Sequence, residues 1–97
     1  MTITNTSFLG NLAGTQGGAV NISNVDSDIT STTFLKNQAS EDGFGGSISV
    51  NAFDTTAIDI NVTNSTFSYN IGAITGGISQ WTNDSGNTTL YLSLIHI

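Results

Sequence analysis

Seven carboxylates, one lysine and one histidine are the charged or near-neutral titrating side chains of this 97-residue chain. The acids are Asp26, Asp28, Glu41, Asp42, Asp54, Asp59 and Asp84. Two carboxyl groups facing each other across a groove would hydrolyse a glycosidic bond, one as acid and the other as base or nucleophile. These acids share no common spacing that would bring such a pair together. Asp26-Ser27-Asp28 puts two carboxylates on one face of a strand, enough for a weak calcium contact and equally what keeps a strand edge soluble. Glu41-Asp42 lies in the loop before Gly45-Gly46 and reads as solvated. Elimination from a uronic acid needs a cation beside the carboxylate to take the proton and hold the charge. The chain has no Arg, and its one cation, Lys36, sits between Phe34 and Asn37 with a solvated side chain. Without Cys there is no disulfide framework and no thiolate metal site. No catalytic, cofactor-binding or metal-ligating residue is therefore assigned, and no cofactor is expected.

The neutral polar residues carry more information. Thr (15), Ser (12), Asn (11) and Gly (11) make up half the chain, and only 8% of residues are charged, against roughly 25% in an ordinary domain. A net charge of -6 with one cation cannot neutralise a run of phosphates, which excludes nucleic acid as a partner. No apolar run approaches the roughly 18 residues of a membrane-spanning helix, so this segment does not itself insert in a membrane. Six Asn-x-Ser/Thr sequons begin at Asn5, Asn21, Asn61, Asn64, Asn83 and Asn87, acceptors for glycans in a eukaryotic source. Trp81 and Tyr91 are candidates for stacking on a sugar or for ordinary packing.

The elements that must position these groups come from a repeat. Ile3-Thr-Asn-Thr-Ser-Phe8-Leu-Gly-Asn11, Ile29-Thr-Ser-Thr-Thr-Phe34-Leu-Lys-Asn37 and Val62-Thr-Asn-Ser-Thr-Phe67-Ser-Tyr-Asn70 align without a gap. After a variable loop each is followed by a glycine pair: Gly17-Gly18-Ala-Val20, Gly45-Gly46-Ser-Ile48 and Gly76-Gly77-Ile78. Ala19–Ile22, Ser47–Val50, Ala57–Val62 and Thr89–Leu92 alternate apolar with polar, the period of half-buried strands. The aliphatic residue and the Phe of each copy are five apart, so a bend or bulge must lie between them if both point inward. The expected fold is all-β: a right-handed parallel β-helix fragment of about three rungs, preferred over a β-sandwich because homologous positions carry one side-chain pattern in every copy. Phe8, Phe34 and Phe67 would then form a ladder, as would Asn11, Asn37 and Asn70, with the glycines allowing positive φ at a tight corner. The repeat fragment spans 1–91, with blocks near 3–22, 29–50 and 62–81.

Phe-x-x-Asn followed by Gly-Gly-Ala-aliphatic resembles the repeat of polymorphic outer membrane proteins, and Phe8-Leu-Gly-Asn-Leu-Ala-Gly-Thr-Gln-Gly-Gly-Ala-Val20 is close to that pattern. The second copy has Ser47 in place of the Ala, and the third lacks it. The resemblance implies a pectin-lyase-like β-helical passenger, secreted or displayed at a cell surface (the outer membrane in a bacterial source), which acts as an adhesin or a structural spacer. Its implied partners are a host-cell surface or glycan ligand and flanking β-helix rungs of the full-length protein. Parallel β-helices also host polysaccharide lyases and glycoside hydrolases, so the alternative is a fragment of a carbohydrate-active enzyme whose site lies outside it. A further alternative comes from two hydroxyl columns, Thr4/Thr30/Thr63 and Thr6/Thr32/Ser65, which on one flat face would resemble an ice-binding solenoid.

Residues 92–97, Leu-Ser-Leu-Ile-His-Ile, differ in texture from the rest and match one reading frame of a common transposon-type sequencing adapter. They are expected to be non-native, which removes His96 as a catalytic candidate.

Overall fold

The computed structural model describes residues 1–40, 44–52, 57–73, 75–82 and 87–96. Among them the chain is all-β and contains no helix. Thr, Val, Ile and Phe suit a pleated, half-buried surface, whereas good helix formers are scarce in this sequence. A first passage comprises β1 (Thr2–Thr4), β2 (Ser7–Leu9), β3 (Leu12–Ala13) and β4 (Val20–Ser23). A second comprises β5 (Ser27–Thr30), β6 (Thr33–Leu35), β7 (Gln38–Ala39) and β8 (Ile48–Ala52). β9 (Ala57–Ser68) and β10 (Ile78–Thr82) follow, and β11 (Asn87–His96) is last.

Every strand pairing among the described residues is parallel. One sheet of six strands runs β1-β5-β9-β6-β2, with β11 also on β9; β10-β8-β4 form a second sheet and β3-β7 a third. The registers match the sequence repeat. Ile3 lies beside Ile29 and Ile29 beside Val62, Phe8 beside Phe34 and Phe34 beside Phe67, and Val20 beside Ile48 and Ile48 beside Ile78.

The expected bend between aliphatic residue and Phe is a single left-handed residue. Asn5, Ser31 and Asn64 have φ of 51°, 51° and 48°. One such residue reverses the side-chain alternation of the strand, as β9 displays along its length. Ile58, Ile60 and Val62 point inward before Asn64, and Ser65 and Phe67 point inward after it. A second reversal falls one residue before each repeated Asn, at Gly10, Lys36 and Tyr69, with φ of 64°, 56° and 54°. It turns Asn37 and Ala39 inward behind Phe34.

The core follows from these reversals. Ile22, Ile29, Phe34, Ile48, Val50, Ile58, Ile60, Val62 and Phe67 are buried in one cluster, with Ile3, Phe8, Val20 and Ile78 packed against it. The Phe rings stack in parallel, 5.0 Å apart between Phe8 and Phe34 and 4.7 Å between Phe34 and Phe67. Full burial of each such side chain stabilises by about 1.5–3 kcal/mol, and each aromatic pair adds about 0.5–1.5 kcal/mol.

Leu92 to His96, set apart above as an adapter translation, continue β11 in register, with Leu92 beside Val62 and Ile95 beside Ser65. A sheet edge presents an open row of N–H and C=O groups that pairs with any extended apolar segment, so this pairing carries no information about the origin of those residues.

Candidate functional site

The most ordered polar feature is the repeated Asn column. The left-handed residue before each Asn aims its amide along the sheets' hydrogen-bonding direction, across neighbouring passages. Asn11 donates from its backbone N–H and from Nδ2 to Asn37 Oδ1, at 3.0 and 2.8 Å. Asn37 repeats the pattern toward Asn70 Oδ1, at 2.9 and 3.0 Å. The remaining amide hydrogen is also used: Asn37 Nδ2 donates to Phe8 O, and Asn70 Nδ2 to Phe34 O, each at 3.0 Å. Asn37 is fully buried and satisfied, Asn70 half-buried, and Asn11 exposed. Between the amides the ladder therefore has a direction, Asn11 donating to Asn37 Oδ1 and Asn37 to Asn70 Oδ1.

The glycine pairs behave differently in the third copy. Gly17 and Gly45 adopt the expected positive φ, 53° and 55°. Their partners Gly18 and Gly46 are required by close approach instead. A Cβ on Gly18 would strike Gly46 O, and one on Gly46 would lie 2.6 Å from the backbone of Ile71. Gly76 and Gly77 have no such φ, because the register is displaced by one from the sequence alignment. Ile78 pairs with Ile48, and Gly46 N–H donates to Thr75 O where Gly18 N–H donates to Gly45 O. Thr75 thus takes the place of the first glycine, Gly76 that of the second, and Gly77 that of Ala19 and Ser47.

Thr4, Thr30 and Thr63 form an outward column in register, and Thr63 Oγ1 donates to Thr30 Oγ1 at 3.2 Å. The second hydroxyl column is not beside it. Thr32 and Ser65 are buried, because the reversal at Ser31 and Asn64 turns them inward. There their hydroxyls donate to Thr30 O and Thr63 O, at 3.0 and 2.9 Å. The hydroxyls beside the first column are instead Ser7, Thr33 and Thr66, on the far side of the bend.

The acids are engaged across strands. Asp59 N–H donates to Asp26 Oδ1 at 2.8 Å and Asn61 Nδ2 to Asp28 Oδ1 at 2.9 Å. No group of three or more metal-ligating side chains occurs among the described residues. Lys36 is exposed, as the sequence implies. Glu41, Asp42, Asp54, Asp84 and the sequon at Asn83 lie outside the described residues, and Trp81, Asn87, Tyr91 and His96 are placed as strand positions only. Of the remaining sequons, Asn5 and Asn64 are exposed at left-handed bends. Asn21 is exposed but accepts from the buried Asn51 Nδ2 at 2.7 Å.

Two features escaped the sequence reading. Ser49 Oγ and Asn51 Oδ1 are buried without a hydrogen-bond partner among the described residues, at positions that simple alternation would place in solvent. An open cleft of about 270 Å³ is lined by Phe67, Tyr69, Asn70, Thr75, Gly76 and Gly77. The only hint of the second lay in the third copy's lack of a residue between Gly77 and Ile78. No family model, curated protein or solved structure matches the chain.

Proposed function

We propose that the chain is a segment of a right-handed parallel β-helix that serves as a non-catalytic adhesin passenger or structural spacer, secreted or displayed at a cell surface. The observation that carries this reading is the Phe8/Phe34/Phe67 column with its directional Asn ladder. Its repeated aromatic and amide groups are spent on one another rather than turned toward a substrate. Parallel registers between successive copies and the absence of antiparallel pairs among the described residues support a solenoid over a sandwich. The resemblance to polymorphic outer membrane protein repeats supports the surface role. Such a segment works passively: a stiff stack holds loops of unequal length, near residues 12–16, 38–44 and 71–75, at regular intervals, and a host surface or glycan contacts those loops or the lateral face.

The test is direct binding of the labelled chain to cultured cell surfaces and to an immobilised panel of neutral and acidic glycans. Saturable binding that is lost when the loop at 12–16 is replaced by a Gly-Ser linker is expected for an adhesin. Binding to nothing on either surface leaves the spacer role, and release of sugar from a polyuronate or neutral glycan above a buffer control overturns the non-catalytic reading.

A further inference from the structure

We propose that Lys36 and Tyr69 form a lateral binding site for a glycan that ends in a single carboxylated sugar, the ammonium holding the carboxylate and the phenol ring stacking on the sugar's apolar face. This rests on the adhesin reading of the lateral face and names the ligand chemistry for it.

The pair is set by the second left-handed reversal. Leu35 pairs with Ser68 and Gln38 with Ile71, and Lys36 N–H donates to Ser68 O at 3.0 Å. Lys36 and Tyr69 therefore stand side by side on adjacent parallel strands, about 4.8 Å apart at the backbone, a spacing close to the width of one pyranose ring. Both are exposed, Tyr69 by 79%. Neither side chain makes a hydrogen bond, ion pair or ring contact among the described residues. Beside them lie the apolar Leu35 and Ile71 and the exposed Gln38 amide. Asp26, Asp28 and Asp59 are elsewhere, on the strands before the bend at Ser31 and Asn64. The face does not depend on where the stack ends. Lys36 and Gln38 belong to the middle passage, which is paired on both sides, and they are still exposed. A passage added at either end lies beside these columns and not over them.

The backbone supports the assignment. Gly10 fills the equivalent position of the first passage without strain, whereas Lys36 and Tyr69 hold φ of 56° and 54°, which disfavours any residue with a Cβ. Neither side chain recovers that cost by burial or by a hydrogen bond among the described residues. Strained residues of this kind cluster at ligand sites.

The charge balance selects the ligand. One ammonium on a chain of net charge -6 attracts one carboxylate, whereas a polymer charged on every sugar is repelled by the rest of the surface. An exposed ring beside the ammonium suits a carboxylate carried on a pyranose, whose apolar face covers the phenol while its hydroxyls meet the Gln38 amide.

The test titrates sialyllactose, lactose and oligogalacturonate into the full chain and follows the amide NMR signals of residues 35–38 and 68–71. Sialyllactose is expected to shift those signals with a millimolar dissociation constant, as a small ligand on an open face allows. Lactose, which lacks the carboxylate, should bind at least about threefold more weakly, the weight of an exposed charge pair. Oligogalacturonate should bind no more tightly than sialyllactose. Lys36→Gln should bring sialyllactose to the level of lactose while Lys36→Arg retains it, and Tyr69→Ala should weaken both sugars. Equal binding of sialyllactose and lactose to the unmodified chain, tighter binding of oligogalacturonate, shifts centred elsewhere, or no shift at tens of millimolar sialyllactose would overturn the inference without recourse to any variant. Cell-surface binding that depends on the loop at 12–16 and is unaffected by sialyllactose overturns this site alone and leaves the adhesin reading standing.

Discussion

Asn37 and Asn11 carry the same amide at the same repeat offset, but they differ in what depends on them. Removing the Asn37 side chain strands Asn11 N–H, Phe8 O and part of Asn70 Oδ1 around a fully buried position. Asn37→Ala is expected to lower unfolding stability by about 2–4 kcal/mol in urea titration, whereas Asn11→Ala at the exposed end costs under about 1 kcal/mol. Equal losses would mean that the amides are ordinary surface residues. The left-handed positions make the opposite kind of prediction. Lys36 and Tyr69 hold φ of 56° and 54°, a conformation that costs a residue with a Cβ about 1–2 kcal/mol. Gly10 fills the equivalent place without that cost. Lys36→Gly and Tyr69→Gly are therefore expected to stabilise by about 0.5–1 kcal/mol, the relief of strain outweighing the added freedom of the unfolded chain. A loss of stability in both would show that their side chains contribute more than their backbone strain costs.

At the scale of the elements, β8 is enclosed along its whole length. All five of its residues are buried, the alternate Ser49 and Asn51 as well as Ile48, Val50 and Ala52. A buried hydroxyl without a partner costs about 1–3 kcal/mol, so Ser49→Ala is expected to raise the melting temperature. Ser47 is the control, because its hydroxyl donates to Gly76 O at 3.1 Å, and Ser47→Ala should lower it. The bent β1-β2, β5-β6 and β9 strands bear on the hydroxyl face. With Thr32 and Ser65 turned inside, the outward hydroxyls flank a bend rather than filling a flat two-column array. Thermal hysteresis is accordingly expected to be absent from solutions of the chain, and ice shaping would restore the ice-binding alternative.

For the whole molecule, the decisive property is the register between passages far apart in sequence. Thr4 and Thr30 are Cα partners on adjacent parallel strands, which lie about 4.8 Å apart, within the span a disulfide bridges. The chain has no cysteine of its own to interfere. The variant Thr4→Cys/Thr30→Cys is expected to form a disulfide on air oxidation and, in the chain-entropy description of a loop this long, to gain about 3–4 kcal/mol. Thr4→Cys/Thr33→Cys should not cross-link, because Thr33 partners Ser7. Cross-linking of the second pair and not the first would overturn the register.

The all-β class and the partners Phe8 with Phe34 and Phe34 with Phe67 were legible in the sequence, because parallel passages in register demand the same residue type at the same offset. The need for a bend was legible too, since an aliphatic residue and a Phe five apart cannot both face inward on a regular strand. Which residue makes that bend was not: Asn5, Ser31 and Asn64 share little but small polar side chains, and backbone conformation there is set by pairing with the neighbouring strands. The same holds for Thr32 and Ser65, whose inward aim follows from a neighbour's φ and not from their own type. The third glycine pair looked aligned because Gly-Gly is a strong local pattern, yet the pairing of Ile78 with Ile48 moved it by one. Local residue types thus determined what could repeat and what had to be buried. Only the tertiary contacts decided the parity of each strand and the direction of the Asn ladder, because both depend on hydrogen bonds between residues 26 and 33 positions apart.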